Sequence, residues 1–198
     1  MPRHPTPFLR TAATRCALVA LVFVAASGAR AQSFSVGLAG GIDRGHVDCV
    51  PSFPCDRSAS HFKASAGYRF AEPWDVQLAY LSAGRFQGGD PIPAGGEFGG
   101  TFKVDGVGLT AGYRFDVAPG WSATARLGAA SMHTRFAYAN ALAADVSKST
   151  VQPLAGLGVA YAVTPQVRVG IDYDVTRFKV YTRNGSLRML GAAVQFSF

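Results

Sequence analysis

The chain ends in the stretch GAAVQFSF, residues 191–198, and the order of residues in this stretch indicates the fold. Val194, Phe196 and Phe198 are apolar, whereas the two residues between them, Gln195 and Ser197, are polar. Successive side chains of a β-strand point to opposite faces of a sheet, so strict alternation predicts a strand with one apolar face. The stretch is therefore read as a strand that runs to the last residue.

The same alternation occurs seven more times upstream, while apolar residues at helical spacing are almost absent. The sequence therefore predicts an all-β protein with eight strands, at residues 34–42, 62–70, 74–80, 107–115, 121–127, 151–161, 167–175 and 190–198. One phase break interrupts the pattern, because Phe102 and Val104 have the opposite parity to Val107. It predicts a bulge near Asp105 and Gly106, and an inward direction for Lys103 and Asp105.

The first 31 residues have the pattern of a cleaved signal peptide. Three arginines precede the apolar run CALVALVFVAA, which is followed by the small-residue site ARA at residues 29–31. We therefore expect residues 1–31 to be removed and residues 32–198 to form one exported domain. No later stretch approaches the roughly 18 consecutive apolar residues of a membrane helix.

The charge of the exported part argues against a nucleic-acid partner. The whole chain has 19 basic and 12 acidic residues, and four of the basic residues lie in the signal segment. The remaining lysines and arginines are scattered singly along the sequence, whereas proteins that bind a phosphate backbone cluster them.

Eight alternating strands suit either a soluble barrel or sandwich, apolar inside, or a membrane barrel, apolar outside. Aromatic residues flank the short connections AEP (residues 71–73) and DVAPG (residues 116–120), as a membrane-interface girdle requires. The opposite connections are long, at residues 44–60, 83–101, 136–149 and 178–187. Both features favour an eight-stranded antiparallel up-and-down transmembrane β-barrel, with an aromatic girdle of Phe70, Trp74, Phe115, Trp121, Tyr161 and Phe196.

A repeat explains why the chain ends on an aromatic residue. The sequence AGYRF occurs at residues 66–70 and again at residues 111–115, and VAYAV at residues 159–163 is a looser copy. These are the ends of the second, fourth and sixth predicted strands, and VQFSF is the end of the eighth. All four strands run toward one membrane face, and pairing the eighth strand with the first would leave no unpaired edge in lipid.

The chain resembles the OmpA-type small outer-membrane β-barrels of Gram-negative bacteria. Residues 152–178 resemble the sixth and seventh strands of that barrel, and residues 55–70 resemble the second strand of its single-domain relatives. The resemblance implies an outer-membrane location, and contact with membrane lipid and lipopolysaccharide. It also implies handling by periplasmic chaperones and by the outer-membrane assembly machinery, which would read Phe198. OmpA itself carries a peptidoglycan-binding domain after the barrel, whereas this chain is expected to end at the barrel, so wall anchoring is not implied.

By parity, ten polar residues point into the predicted lumen. We expect them to form a network of salt bridges and hydrogen bonds, because an eight-stranded barrel is narrow enough to be filled by side chains. A narrow gated conduction path is the alternative. The residues are Lys63, Arg69, Asp75, Gln77, Arg114, Arg126, Arg168, Asp172, Asp174 and Gln195.

Cys49 and Cys55 lie in the first long connection, and in an exported protein such a pair is expected to form a disulfide. The alternative is a metal site completed by His46, Asp48, Asp56 or His61, which would need four converging ligands. We expect no metal and no cofactor.

An enzyme that modifies lipid A is a third alternative. His133 with Ser131 or Thr134 is the candidate nucleophile and base, but SMHTRF lacks the His-x-Ser-Asn signature of lipid A deacylases. The predicted function is therefore a structural barrel, not an enzyme, whose outer loops are available to a host or surface ligand or for adhesion. A small low-conductance channel is the competing prediction.

Overall fold

The computed structural model describes residues 34–46, 56–91, 97–138, 146–180 and 183–198. Eight strands contain almost all of them. Their bounds are β1 Phe34–Gly45, β2 Ser58–Ala71, β3 Trp74–Pro91, β4 Glu97–Ala118, β5 Trp121–Tyr138, β6 Val146–Ala162, β7 Val167–Val180 and β8 Arg183–Ser197.

Each strand pairs antiparallel with its neighbours in sequence, and β1 also pairs with β8. The sheet is therefore a closed barrel, which confirms the predicted all-β, eight-stranded, up-and-down architecture. Closure leaves no strand edge without a partner. No helix among the described residues is long and apolar enough to cross a membrane.

The two ends of the barrel differ, and we name them the turn end and the loop end. At the turn end, connections of a few residues join β2 to β3, β4 to β5 and β6 to β7. The second of these turns contains Gly120 with φ of +78°, a left-handed conformation in which a Cβ is disfavoured. The loop end is the opposite end, where β1, β3, β5 and β7 finish and β2, β4, β6 and β8 begin.

Large apolar side chains point out of the barrel along every strand. Leu109 is 61% exposed, Leu127 is 70% exposed and Val151 is 72% exposed. Soluble proteins rarely expose so large a contiguous apolar surface to water. A barrel wall in contact with lipid has such a surface.

The strands extend farther toward the loop end than the sequence predicts. Pairing between β3 and β4 continues to Pro91 and Glu97, and pairing between β7 and β8 continues to Val180 and Arg183. The predicted loops at residues 83–101 and 178–187 are therefore mostly strand, and these predictions were wrong. The backbone ladder continues beyond the apolar band because its hydrogen bonds form equally well there.

The predicted bulge near Asp105 and Gly106 is also wrong. β4 pairs with β5 without interruption through both residues, and the register shift lies opposite, in β3, between Ser82 and Arg85. Lys103 is exposed on the outside and Asp105 also lies on the outer face, so their predicted inward direction is wrong as well.

The physical reason is a change in what the two faces bury. Near the turn end β4 has its apolar side chains outside, as at Val107 and Leu109. Beyond residue 105 it has them inside, as at Phe102 and Val104, which are 6% and 0% exposed. The apolar parity reverses along an unbroken strand, and in sequence this looks like a phase break.

Candidate functional site

Four charged side chains meet in the barrel interior and form what we call the charged layer: Lys63, Arg126, Asp172 and Asp174. The Lys63 ammonium lies 2.7 Å from the carboxylate of Asp172 and 2.5 Å from that of Asp174. The Arg126 guanidinium lies 2.9 Å from the other oxygen of Asp172. Two cations thus face two anions, and burial of each charge is compensated by a partner.

Glycines on β6 make room for this layer. A Cβ on Gly156 would collide with the Asp174 carboxylate, and a Cβ on Gly158 would lie 2.6 Å from that of Asp172. Gly156 and Gly158 are the direct cross-strand partners of Asp174 and Asp172. The small residues that alternate with the apolar ones in β6 therefore set the space for two buried carboxylates.

Four other predicted lumen residues lie nearer the turn end. Asp75 interacts electrostatically with Arg126 and Arg69, and Arg69 lies 3.7 Å from the exposed Glu72. Arg168 lines a cavity of about 430 Å³ that opens at the turn end. Arg114 forms no ion pair with a carboxylate among the described residues, and two of its buried nitrogens, Nε and Nη1, donate to no partner there.

The remaining two predicted lumen residues are glutamines. Gln77 is partly buried, and its backbone carbonyl accepts a hydrogen bond from Thr110. Gln195 lines a void of about 40 Å³ beside Arg168 and Asp172. Such a void holds about one water molecule, so side chains fill this level of the interior.

Toward the loop end the interior becomes apolar. The first apolar side chains in the interior are cross-strand partners of the charged layer. Lys63 pairs with Leu81, and Asp174 pairs with Met189. Twelve buried side chains form one continuous cluster, which we call the apolar cap: Leu81, Ala83, Phe86, Phe102, Val104, Ala130, Met132, Phe136, Leu154, Phe178, Leu187 and Met189. The cap was not predicted. Some of its residues were assigned to loops, Phe102 and Val104 were assigned to the outer face, and the others were given no direction.

Two polar side chains that sequence analysis did not place in the lumen lie between the charged layer and the apolar cap. Asp43 is fully buried, and the Gly84 N–H, in the β3 bulge, donates to it over 3.3 Å. His61 is 8% exposed, with its Nε2 close to Gly191. Both residues have the sequence parity of inward-facing positions. Asp43 lies among the glycines of β1, and His61 lies two residues before Lys63. This spacing could have identified them as lumen residues.

The six predicted girdle residues, Phe70, Trp74, Phe115, Trp121, Tyr161 and Phe196, all lie outside at the turn end, between 42% and 56% exposed. Ring contacts join several of them to further aromatics. Trp74 packs 5.0 Å from Tyr113, and Trp121 packs 5.2 Å from Tyr161. The Phe198 N–H donates to the Phe34 carbonyl over 2.8 Å, so the last residue joins β8 to the start of β1.

His133 lies on the outer face near the loop end. Its Nδ1 lies 2.9 Å from the hydroxyl of Ser149, the residue opposite on β6. The two partners considered from sequence are placed elsewhere, since Thr134 points inward and is buried, and Ser131 is exposed two positions along β5. Asp105 is the cross-strand neighbour on β4, but it forms no ion pair with His133.

The predicted disulfide of Cys49 and Cys55 lies outside the described residues, as do Asp48 and the predicted signal peptide. Asp56 is exposed and its backbone pairs with Gln87, whereas His61 is buried in the barrel, so these two do not converge. Among the residues that the structure describes, no three His, Cys, Asp or Glu side chains are grouped to hold a metal ion.

Comparison with known sequences gives one family. The family described as outer membrane protein beta-barrel domain matches residues 16–198. No curated protein sequence is similar enough to this chain to count as a match.

Three solved bacterial barrels illustrate the likeness in fold. Neisserial surface protein A is 22% identical, with a TM-score of 0.62 over 86% of this chain and 100% of that one. OprG from Pseudomonas aeruginosa is 13% identical, with a TM-score of 0.52 over 84% and 98%. The N-terminal barrel of Pseudomonas aeruginosa OprF is 16% identical, with a TM-score of 0.50 over 85% and 100%. At these identities the likeness concerns the fold.

Proposed function

The chain belongs to the outer membrane protein β-barrel family, and from this premise we propose that its main role is structural. In this proposal the barrel spans the bacterial outer membrane with its lumen closed. The turn end faces the periplasm, and the loop end presents surface loops for interaction or adhesion.

The observation that carries the proposal is the apolar cap. Phe86, Val104, Met132 and Leu187 each have 0% exposure, so neither water nor ions contact them. A hydrophobic constriction blocks ions because an ion would have to shed its hydration shell to pass. The cap fills the lumen on the outer side, above the charged layer.

The charged layer supports the same reading. Lys63 and Arg126 are directly paired with Asp172 and Asp174, so the charges neutralise one another. A conduction path needs polar groups that are free to exchange an ion with the next site. One feature favours the competing low-conductance channel, namely the open cavity at the turn end beside Arg168.

We propose no catalytic role. The contact of His133 with Ser149 is a side-chain hydrogen bond on the outer wall, and among the described residues no carboxylate pairs with His133 to orient it. A nucleophile and base of this kind require that third group. Lipid A whose mass spectrum is changed by the wild type, and left unchanged by His133→Ala, would contradict this part of the proposal.

The remaining parts of the proposal concern export, the first outer loop and partners. Residues 1–31 are removed as a signal peptide, the assembly machinery and chaperones of the envelope recognise the strand that ends at Phe198, and outer-leaflet lipid surrounds the wall. A disulfide between Cys49 and Cys55 closes the first outer loop, where a host or surface ligand would bind.

Single-barrel current in a planar bilayer tests the closed lumen. Residues 32–198 are refolded, and folding is verified by the heat-dependent shift in gel mobility. We expect no current steps from the wild type. Reproducible steps that grow with salt concentration would contradict the closed lumen and favour the channel.

A variant with a smaller cap shows that the assay can detect opening. Phe86→Ala with Phe102→Ala removes two rings from the apolar cap, and we expect brief current steps from the folded fraction. The matched control, Leu78→Ala with Leu109→Ala, removes side chains from the outer wall, and we expect it to be silent.

A further inference from the structure

The outer wall changes from apolar to basic at one level. The last large apolar side chains on the outer face, before the loop end, include Ile42, Val107 and Leu190. Beyond this level, among the strand positions whose side chains the structure describes, the outward-facing charged residues are seven cations and Asp105. The cations are Arg44, Arg85, Lys103, Arg135, Arg177, Lys179 and Arg188, and we call this set the basic rim.

Three members of the basic rim are direct cross-strand neighbours. Arg85 on β3 pairs with Lys103 on β4, and Lys103 pairs with Arg135 on β5. All three side chains are exposed on the same face of the sheet. Like charges directly opposite one another destabilise a sheet, so a row of three calls for an anion to offset the repulsion.

One described carboxylate lies near the row, since Asp105 is two residues from Lys103 on the outer face of β4, but it forms no ion pair with any of the three cations. None of the seven cations of the basic rim forms an ion pair with a described carboxylate. A second repulsive contact lies on the other side of the barrel, where Arg44 pairs directly with Arg188. In the described part of the chain, the cations around the circumference at this level therefore outnumber the one carboxylate, Asp105, and none is paired.

The direction of these side chains identifies the anion. They leave the wall sideways, just beyond the apolar band, and so reach the headgroups of the surrounding lipid. We propose that the basic rim binds phosphate groups of outer-leaflet lipid, and that Arg85, Lys103 and Arg135 form one phosphate site.

The dimensions of the row fit phosphate chemistry. Neighbouring strands lie about 4.8 Å apart, so the three side chains span about 10 Å along the wall. The two guanidinium groups can donate to phosphate oxygens in pairs, and the ammonium between them adds a point charge. This inference deepens the proposed function and rests on it for the presence of an outer membrane around the barrel.

Native mass spectrometry of the refolded barrel in detergent tests the site. The probes are diphosphorylated lipid A and the same lipid A with both phosphates removed. We expect the wild type to bind the phosphorylated form more tightly. We expect Arg85→Ser, Lys103→Ser, Arg135→Ser, as one variant, to lose about a hundredfold in affinity for it.

The matched control keeps the charges. Arg85→Lys, Lys103→Arg, Arg135→Lys should bind within a few fold of the wild type. Equal binding of both lipid A forms by the wild type, or unchanged binding by the serine variant, would overturn the proposal. Displacement of lipid A by inorganic phosphate or sucrose octasulfate at equal phosphate or sulfate concentration would overturn the assignment to lipid.

The two proposals fail separately. A wild-type barrel that conducts ions but prefers phosphorylated lipid A contradicts the closed lumen and supports the basic rim. A silent barrel with no preference between the two lipids supports the closed lumen and overturns the basic rim.

Discussion

Among single residues, Lys63 has the largest part in holding the barrel interior together. It lies between the carboxylates of Asp172 and Asp174, while the Arg126 guanidinium reaches only Asp172. Lys63 is therefore the one cation of the charged layer in contact with both acids. Its side chain is 5% exposed, so water offers little screening.

Lys63→Met should lower the free energy of unfolding by about 3 kcal/mol, because it leaves two buried carboxylates with one partner. Urea titration in micelles, followed by the heat-dependent gel shift, measures the change. Adding Asp174→Asn removes the excess charge and should restore part of the loss. If the double variant is no more stable than Lys63→Met, the destabilisation does not come from unpaired charge.

At Gly156 the absence of a side chain leaves the space that the Asp174 carboxylate occupies. Gly156→Ala should cost about 1 to 3 kcal/mol, because the new Cβ would displace the Asp174 carboxylate from its place beside Lys63. Gly40→Ala is the control, since Gly40 faces outward and its Cβ would meet its nearest atom at 3.6 Å. Equal urea midpoints for the two variants would argue against the space requirement.

The strands show how far a sequence pattern can lead. Alternation located every strand near the turn end, where apolar residues face lipid and polar residues face inward, as at Val107 and Thr110. It failed near the loop end, because there Phe102 and Val104 face inward and Lys103 faces water. Sequence parity records which face is apolar and does not record which face is inside. Reversal of the pattern was therefore read as a bulge or a loop.

The same limit applies to the candidate site. Inward parity brought together Lys63, Arg126, Asp172 and Asp174, because all four lie where the wall contacts lipid and the rule holds. It missed the apolar cap, whose members lie beyond the reversal. It also missed the basic rim, since Arg85, Lys103 and Arg135 are far apart in sequence and become neighbours only through strand register.

Comparing two substitutions on β4 tests the reversal. Phe102→Ala should destabilise the barrel by about 3 to 5 kcal/mol, because it empties space in the apolar cap. Leu109→Ala should cost about 1 kcal/mol or less, because Leu109 is 61% exposed and detergent or lipid fills the space it leaves. Urea midpoints in one detergent give both values, and the opposite order would contradict the assignment of inner and outer faces.

The whole molecule is a barrel with two levels. In the level near the turn end, apolar side chains face lipid and the interior holds the charged layer. In the level near the loop end, the interior holds the apolar cap and the outer face carries the basic rim. In the proposed arrangement, the plane of reversal marks where the wall leaves the apolar part of the membrane, and the cap closes the lumen on the outer side of that plane.

A spin-label scan along β4 tests this arrangement most directly. Nitroxides are attached one at a time at residues 102 to 109, with Cys49 and Cys55 replaced by serine. Collision with oxygen reports lipid, and collision with a water-soluble nickel chelate reports water. We predict that 107 and 109 collide with oxygen, that 103 and 105 collide with the chelate, and that the even positions are protected from both. Chelate access at 102 and 104, with protection at 103 and 105, would contradict the account.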